Sequence, residues 1–176
     1  IIDAGVLDAG AGATALLSDL GRELRSTAEV GDGRSVASFV AFSLSPDSTR
    51  WSQLRAGASE PTWSATARSI APTDYAVLVT TLGALGEPIL TDGDAAGTWT
   101  RFARSADEVH RMLARLHDSD ELRADAEALA PSPVSLDALT LIGVANEPAK
   151  ERVRALVSAM TRAPRVAVYP PWFAVD

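Results

Sequence analysis

Apolar positions recur along this chain with two different periods, and the period that dominates a stretch predicts its element. Leu16, Leu17, Leu20, Leu24 and Ala28 return at helical spacing, with Asp19, Arg22, Glu23 and Arg25 mostly off the stripe, so an amphipathic helix is expected over 13–30, ending near Gly31. From Ser35 to Leu44, Val36, Val40, Phe42 and Leu44 alternate with Ala37, Phe39 and Ala41; both faces are apolar, which predicts a central strand. Tyr75, Leu78, Val79, Leu82 and Leu85 follow Thr73-Asp74 at i, i+3, i+4, i+7 and i+10, the signature of a capped helix that Gly86 stops. Pro88 to Phe102 holds Asp92-Gly93-Asp94 and Gly97 and reads as a hairpin. Ser105 then caps a helix with Val109, Met112, Leu113 and Leu116 on one side, and an acidic helical segment runs from Asp118 to Leu129 up to the break at Pro131-Ser-Pro133.

The last third of the chain follows a third pattern. Leu139 to Ala145 is an apolar run, Asn146 is an N-cap, Val153, Leu156, Val157 and Met160 form a helical stripe, and Arg165 to Tyr169 is a second apolar run. Strand, helix and strand within about 30 residues predict a right-handed βαβ unit with parallel strands. Together these elements predict one mixed α+β domain over 1–176, with a sheet of about five strands, antiparallel through the 88–102 hairpin and parallel at its end. Residues 46–72, with Trp51, Trp63 and many Ser and Thr, show neither period and read as a long loop or a run of short helices.

Composition narrows the function classes. At 176 residues and 47% hydrophobic, the chain is long enough to bury one core. The absence of cysteine excludes disulfides, thiolate metal sites and cysteine nucleophiles. A net charge of −7 repels phosphate backbones on average, so no nucleic-acid partner is expected. No apolar run approaches the roughly 20 residues of a membrane helix, and a cytoplasmic location follows as the expectation, although the chain starts Ile-Ile-Asp and an upstream signal or anchor would precede that point. Fifteen Arg against one Lys is the skew of a GC-rich bacterial genome.

Candidate chemistry is sparse. His110 and His117 stand seven apart on one helix, about 10.5 Å of rise, too far to share a metal ion, so no metal site is expected. No G-x-S-x-G occurs, and Asp92 and Asp94 read as turn residues because no distal calcium ligands follow them. In Val6-Leu-Asp-Ala-Gly-Ala-Gly-Ala-Thr-Ala-Leu-Leu17, Asp8, Gly10 and Gly12 stand in an acid-then-G-x-G pattern. The stretch resembles the first motif of the S-adenosylmethionine-dependent methyltransferases, and Tyr169-Pro-Pro-Trp-Phe173 is similar to a second motif of the amino-methylating branch. That resemblance implies cofactor binding by Asp8, Gly10 and Gly12. It departs from the family where Thr14 replaces the third glycine and Tyr169 replaces the residue that would hold the target amino group, so a methyltransferase-like enzyme is the alternative reading.

The leading expectation is a non-catalytic binding or adaptor module without a cofactor, recognising a protein or peptide segment, with a small molecule as a second possibility. Its contacts follow from topology: residues leaving the two parallel strands emerge at the same end of the sheet. That rule gathers Asn146, Glu147, Tyr169, Trp172 and Phe173, with Trp51 and Trp63 as further aromatic contacts.

Overall fold

Three sheets, not one, organise the chain in the computed structural model, which describes residues 6–9 and 16–174. In chain order the elements are β1 (Val6–Leu7), α1 (Asp19–Thr27), β2 (Phe39–Ser43), α2 (Thr49–Arg55), α3 (Ala65–Ser69), β3 (Ala76–Thr80), β4 (Ile89–Thr91) and β5 (Phe102–Ala103). There follow α4 (Ala106–His117), α5 (Asp120–Asp125), β6 (Glu127–Pro131), β7 (Val134–Ser135), β8 (Leu139–Val144), α6 (Glu147–Val157) and β9 (Arg165–Val168), and a short 3-10 turn, Pro170–Phe173, follows β9. The antiparallel sheet has the order β2-β6-β4-β5, a second sheet the order β3-β8-β9, and β1 pairs with β7. The class is the mixed α+β expected.

Three elements differ from expectation, each for a physical reason. The segment expected to be helical up to Leu129 leaves the helix at Asp125, and Glu127 to Pro131 becomes the inner strand β6 between β2 and β4. Ala128, Leu129 and Ala130 are wholly buried there, and the roughly 1.5–3 kcal/mol that burial contributes for a side chain such as Leu129 outweighs helix propensity differences of a few tenths. The stretch after Thr73 is β3 rather than a helix; Val77, Val79 and Thr80 are β-branched and pair antiparallel with β8, while Leu82–Leu85 forms a 3-10 turn closed by Gly86 at φ 77°. Strand β2 lies at a sheet edge, and its two apolar faces have separate tasks: Phe39 joins Val30, Val36, Ile89 and Leu129, whereas Val40 and Phe42 pack on the cluster around Leu90 and Met112.

Helix α1 is turned relative to its leucine stripe. Leu20 and Leu24 are 44% and 41% exposed, and Gly21 and Arg25 face inward. A Cβ at Gly21 would meet the Thr62 carbonyl oxygen at 2.5 Å, so only glycine lets the helix approach this closely. Ser18 caps the helix by accepting from Gly21 N–H, and Leu17 bridges to Trp63. Residues 46–72 do hold short helices, α2 and α3, capped by Ser48 and Ser64. Elsewhere the sequence pattern holds: the hairpin pairs β4 with β5, Ser105 and Glu108 close a capping box on α4, and β8, α6 and β9 form the parallel βαβ unit in register from Leu141↔Arg165 to Val144↔Val168.

Candidate active site

Glu127, the first residue of β6, is 2% exposed, and an isolated carboxylate at that depth would be strongly destabilising. It is compensated by Arg25 from α1, whose Nη1 and Nη2 donate to Oε1 and Oε2 at 3.2 and 3.0 Å in a two-pronged pairing. Its backbone N–H donates to Thr91 Oγ1 at 2.9 Å, and the Thr91 hydroxyl donates to Gly93 O at 2.6 Å, which ties the strand to the hairpin turn. Arg50, at the start of α2, brings Nη1 to 3.7 Å from Glu127 Oε1 and 3.8 Å from Asp94 Oδ2. Asp94 Oδ1 lies 3.7 Å from Arg25. Two carboxylates and two guanidiniums therefore balance in one cluster.

Local structure fixes each member. The Asp94 carboxylate accepts from Ala96 N–H at 2.9 Å and its carbonyl from Gly97 N–H at 2.7 Å, so the hairpin turn presents it in one orientation. The Arg50 guanidinium lies 5.2 Å from the centre of the Trp63 ring, and Trp63 Nε1 donates to Gln53 at 3.0 Å. Burial pushes the Arg50 pKa below its ordinary value, with Glu127 and Asp94 opposing that shift. The cluster opens on one side: the Arg50 and Asp94 side chains are 30% and 50% exposed, against the sealed Glu127. A carboxylate held still by fixed cations in a dry setting stabilises positive charge that develops beside it, and a partly open guanidinium suits a phosphate group.

Of the residues expected from sequence, Trp63 lies against the cluster through Arg50, and the others are placed as follows. Asn146 caps α6 through Ala149 N–H at 2.9 Å, and Glu147 pairs with Lys150 at 3.0 Å. Phe173 is buried with its ring 5.7 Å from that of Trp51, and Trp63 is buried beneath Arg50. Trp51 Nε1 donates to the Trp172 carbonyl at 2.6 Å, and Tyr169 stands 4.8 Å from the Trp172 ring. Asp8 is exposed and accepts from Ser132 Oγ at 3.3 Å; Gly10 and Gly12 lie outside the described residues. Asp94, read as a turn residue, is both that and a member of the charged cluster. Glu127, Arg25 and Arg50 escaped sequence reading, although two signals were present: a lone acid heading the apolar run Glu-Ala-Leu-Ala, and an arginine sharing its helix face with Gly21 and Ala28.

The fold is shared with several solved structures, and a family model assigns the chain to a class of group-transfer enzymes. The structure of Thermus sp. 2.9 DarT in complex with ADP-ribosylated ssDNA matches at a TM-score of 0.77, with 20% identity over 99% of this chain and 90% of that one. Thermus sp. 2.9 DarT in complex with NAD+ matches at 0.72, with 20% identity and the same coverage of both chains. Thermosipho africanus DarTG in complex with ADP-ribose matches at 0.65, with 16% identity over 96% of this chain and 50% of that one. No curated protein matches the chain. Residues 15–174 match the family model described as "ssDNA thymidine ADP-ribosyltransferase, DarT", and the chain belongs to that family.

Membership overturns two expectations. The adaptor, protein-binding and methyltransferase-like readings give way to a family of ssDNA thymidine ADP-ribosyltransferases. The exclusion of nucleic acid fails as well, because net charge is an average: acids such as Asp19, Asp32 and Asp120 are neutralised by Arg22, Arg34 and Arg123 at the surface and say nothing of a local groove. Among the described residues no helix is long and apolar enough to cross a membrane.

Proposed function

We propose that this chain transfers ADP-ribose from NAD+ to thymidine in single-stranded DNA, with Glu127 facing the reacting ribose. The observation that carries this reading is the buried Glu127 carboxylate, clamped by Arg25 and flanked by the partly exposed Arg50 and Asp94. In the reaction the bond from ribose C1′ to the nicotinamide nitrogen breaks, nicotinamide leaves with the bonding pair, and positive charge grows on C1′. The Glu127 carboxylate stabilises that charge, and its rigid clamp means no reorganisation is needed as the charge appears. The thymine ring N–H nitrogen then bonds to C1′ and gives up its proton, which a carboxylate at this position accepts. Arg50 is suited to the diphosphate, since a planar guanidinium meets phosphate oxygens through two parallel hydrogen bonds. The cytoplasm, where NAD+ and transiently single-stranded DNA meet, is the compartment this chemistry requires.

The test is incubation of the protein with NAD+ and an oligonucleotide containing a single thymidine, followed by mass spectrometry of the DNA. The expected product carries one ADP-ribose unit, nicotinamide appears in equal amount, and the same oligonucleotide with cytidine in place of thymidine stays unmodified. Absence of any thymidine-dependent adduct overturns the reading.

A further inference from the structure

A second feature, remote from Glu127 in sequence, has the chemistry of a single-strand track. Strand β9 is the outer strand of its sheet, and a groove of about 570 Å³ follows its free edge, walled by α6. Lys150 and Arg154 line the helix side and Arg165 the strand side; Glu147 is the one acid there, and it is paired with Lys150. Arg154 and Arg165 are exposed and have no carboxylate partner among the described residues, which makes the groove locally cationic in a chain of net charge −7.

The groove ends at Val168, and the next residues form a prepared aromatic surface. Val166 and Val168 pack with Ile142 and Val144 on the α6 side, so alternation turns Gly143 toward the opposite face, while residues of both parities, Arg165 and Ala167 among them, reach the groove at the strand's edge. The Trp172 indole lies on that face over Gly143, where a Cβ would meet the ring at 2.5 Å. Tyr169 N–H donates to Val144 O at 2.9 Å, and the Trp172 carbonyl takes the Trp51 indole N–H at 2.6 Å, so the Tyr-Pro-Pro-Trp turn is fixed before any ligand arrives. Tyr169 remains 48% exposed with its ring 4.8 Å from that of Trp172. Trp51 directly follows Arg50, so one helix anchors both this turn and the charged cluster.

Building on the thymidine-transfer reading, we propose that the groove and the Tyr169–Trp172 pair together hold the single strand that flanks the modified thymidine, the cations taking phosphates and the rings stacking bases. Cations along a groove and an exposed ring at its end are the two parts of sequence-tolerant single-strand binding, and a duplex, whose bases are already stacked, cannot use the rings. Anisotropy of a labelled strand of three and of twelve nucleotides, without NAD+, tests this directly. Lengthening the strand raises wild-type affinity; Tyr169→Ala reduces that gain about tenfold, and Arg154→Glu with Arg165→Glu lowers the dependence of log affinity on log salt by about 0.7 for each phosphate left without its cation. Variants that keep the full gain and the full salt slope, or a wild type that prefers a duplex of the same length, overturn the proposal. Because binding is read without the reaction, a wild type that binds in this manner but modifies no strand overturns the transfer reading alone.

Discussion

Replacing Arg25 by methionine isolates the interaction on which the charged cluster depends. Methionine keeps much of the length and apolar stem of the arginine while deleting both hydrogen bonds to Glu127, at 3.2 and 3.0 Å. Breaking one side of a buried ion pair costs about 3–5 kcal/mol, because the remaining charge stays desolvated and uncompensated. Arg50 stands 3.7 Å from the same carboxylate and its side chain is partly open to water, so the lower end applies, about 3 kcal/mol. For a chain of this length that corresponds to a fall in Tm of about 6–12 °C. The assay is urea unfolding followed by circular dichroism, with Glu127→Gln and the double variant alongside. The double variant should be less destabilised than the two single changes added together, by at least about 1 kcal/mol, since each single change strands the other partner. An Arg25→Met midpoint within about 1 kcal/mol of wild type at unchanged m, or simple additivity in the cycle, would show that the pair does not hold the cluster together.

Three further outcomes rest on close approaches and caps. Gly143→Ala should cost about 1–3 kcal/mol by chemical denaturation and disturb tryptophan fluorescence, because its methyl group would enter the Trp172 ring at 2.5 Å. On α1, Leu20→Gln should lie within about 0.5 kcal/mol of wild type while Gly21→Ala is clearly destabilising; the reverse order would mean that the leucine stripe is the packed face after all. The Glu108 carboxylate accepts from the Ser105 and Arg104 N–H groups, which lowers its pKa from 4.5 to about 2. A lowered carboxylate pKa gives stability that is present above the ordinary value and lost as the pH falls, so wild type should weaken from about pH 4.5 to about pH 2 by more than Glu108→Ala does in the same titration.

Sequence patterns revealed elements whose stability is local and concealed those decided by long-range pairing. The 105–117 helix carries its own capping box, and the 139–168 unit is a strand-helix-strand succession with clear punctuation, so both could be read directly. Residues 75–85 fit a helical period by coincidence of Tyr75, Leu78, Val79 and Leu82; what makes them β3 is pairing with β8, about 60 residues further along the chain. Residues 127–131 look like the end of an acidic helix until β2 and β4 are placed on either side. The same holds for the site. Glu127 and Arg25 are 102 residues apart and Asp94 belongs to a third element, so no local spacing marks them as a set. Tyr169 and Trp172, which the βαβ rule places at one end of a sheet, enter only the proposed single-strand surface. The chemistry proposed for Glu127 was not legible, because a charge-balanced, buried acid has no short motif.

In the proposed reaction Glu127, not merely the fold around it, performs the transfer. Glu127→Gln preserves the shape of the side chain and a hydrogen-bond acceptor for Arg25 while removing the negative charge. The decisive measurement is the initial rate of ADP-ribose transfer to a single-thymidine strand, taken beside the unfolding midpoint of the same preparation. Loss of one preorganised electrostatic partner predicts a fall in rate of about 10²–10³ in protein that remains folded at the assay temperature. A folded Glu127→Gln variant that modifies thymidine within about threefold of the wild-type rate would mean that the buried carboxylate does not drive the transfer.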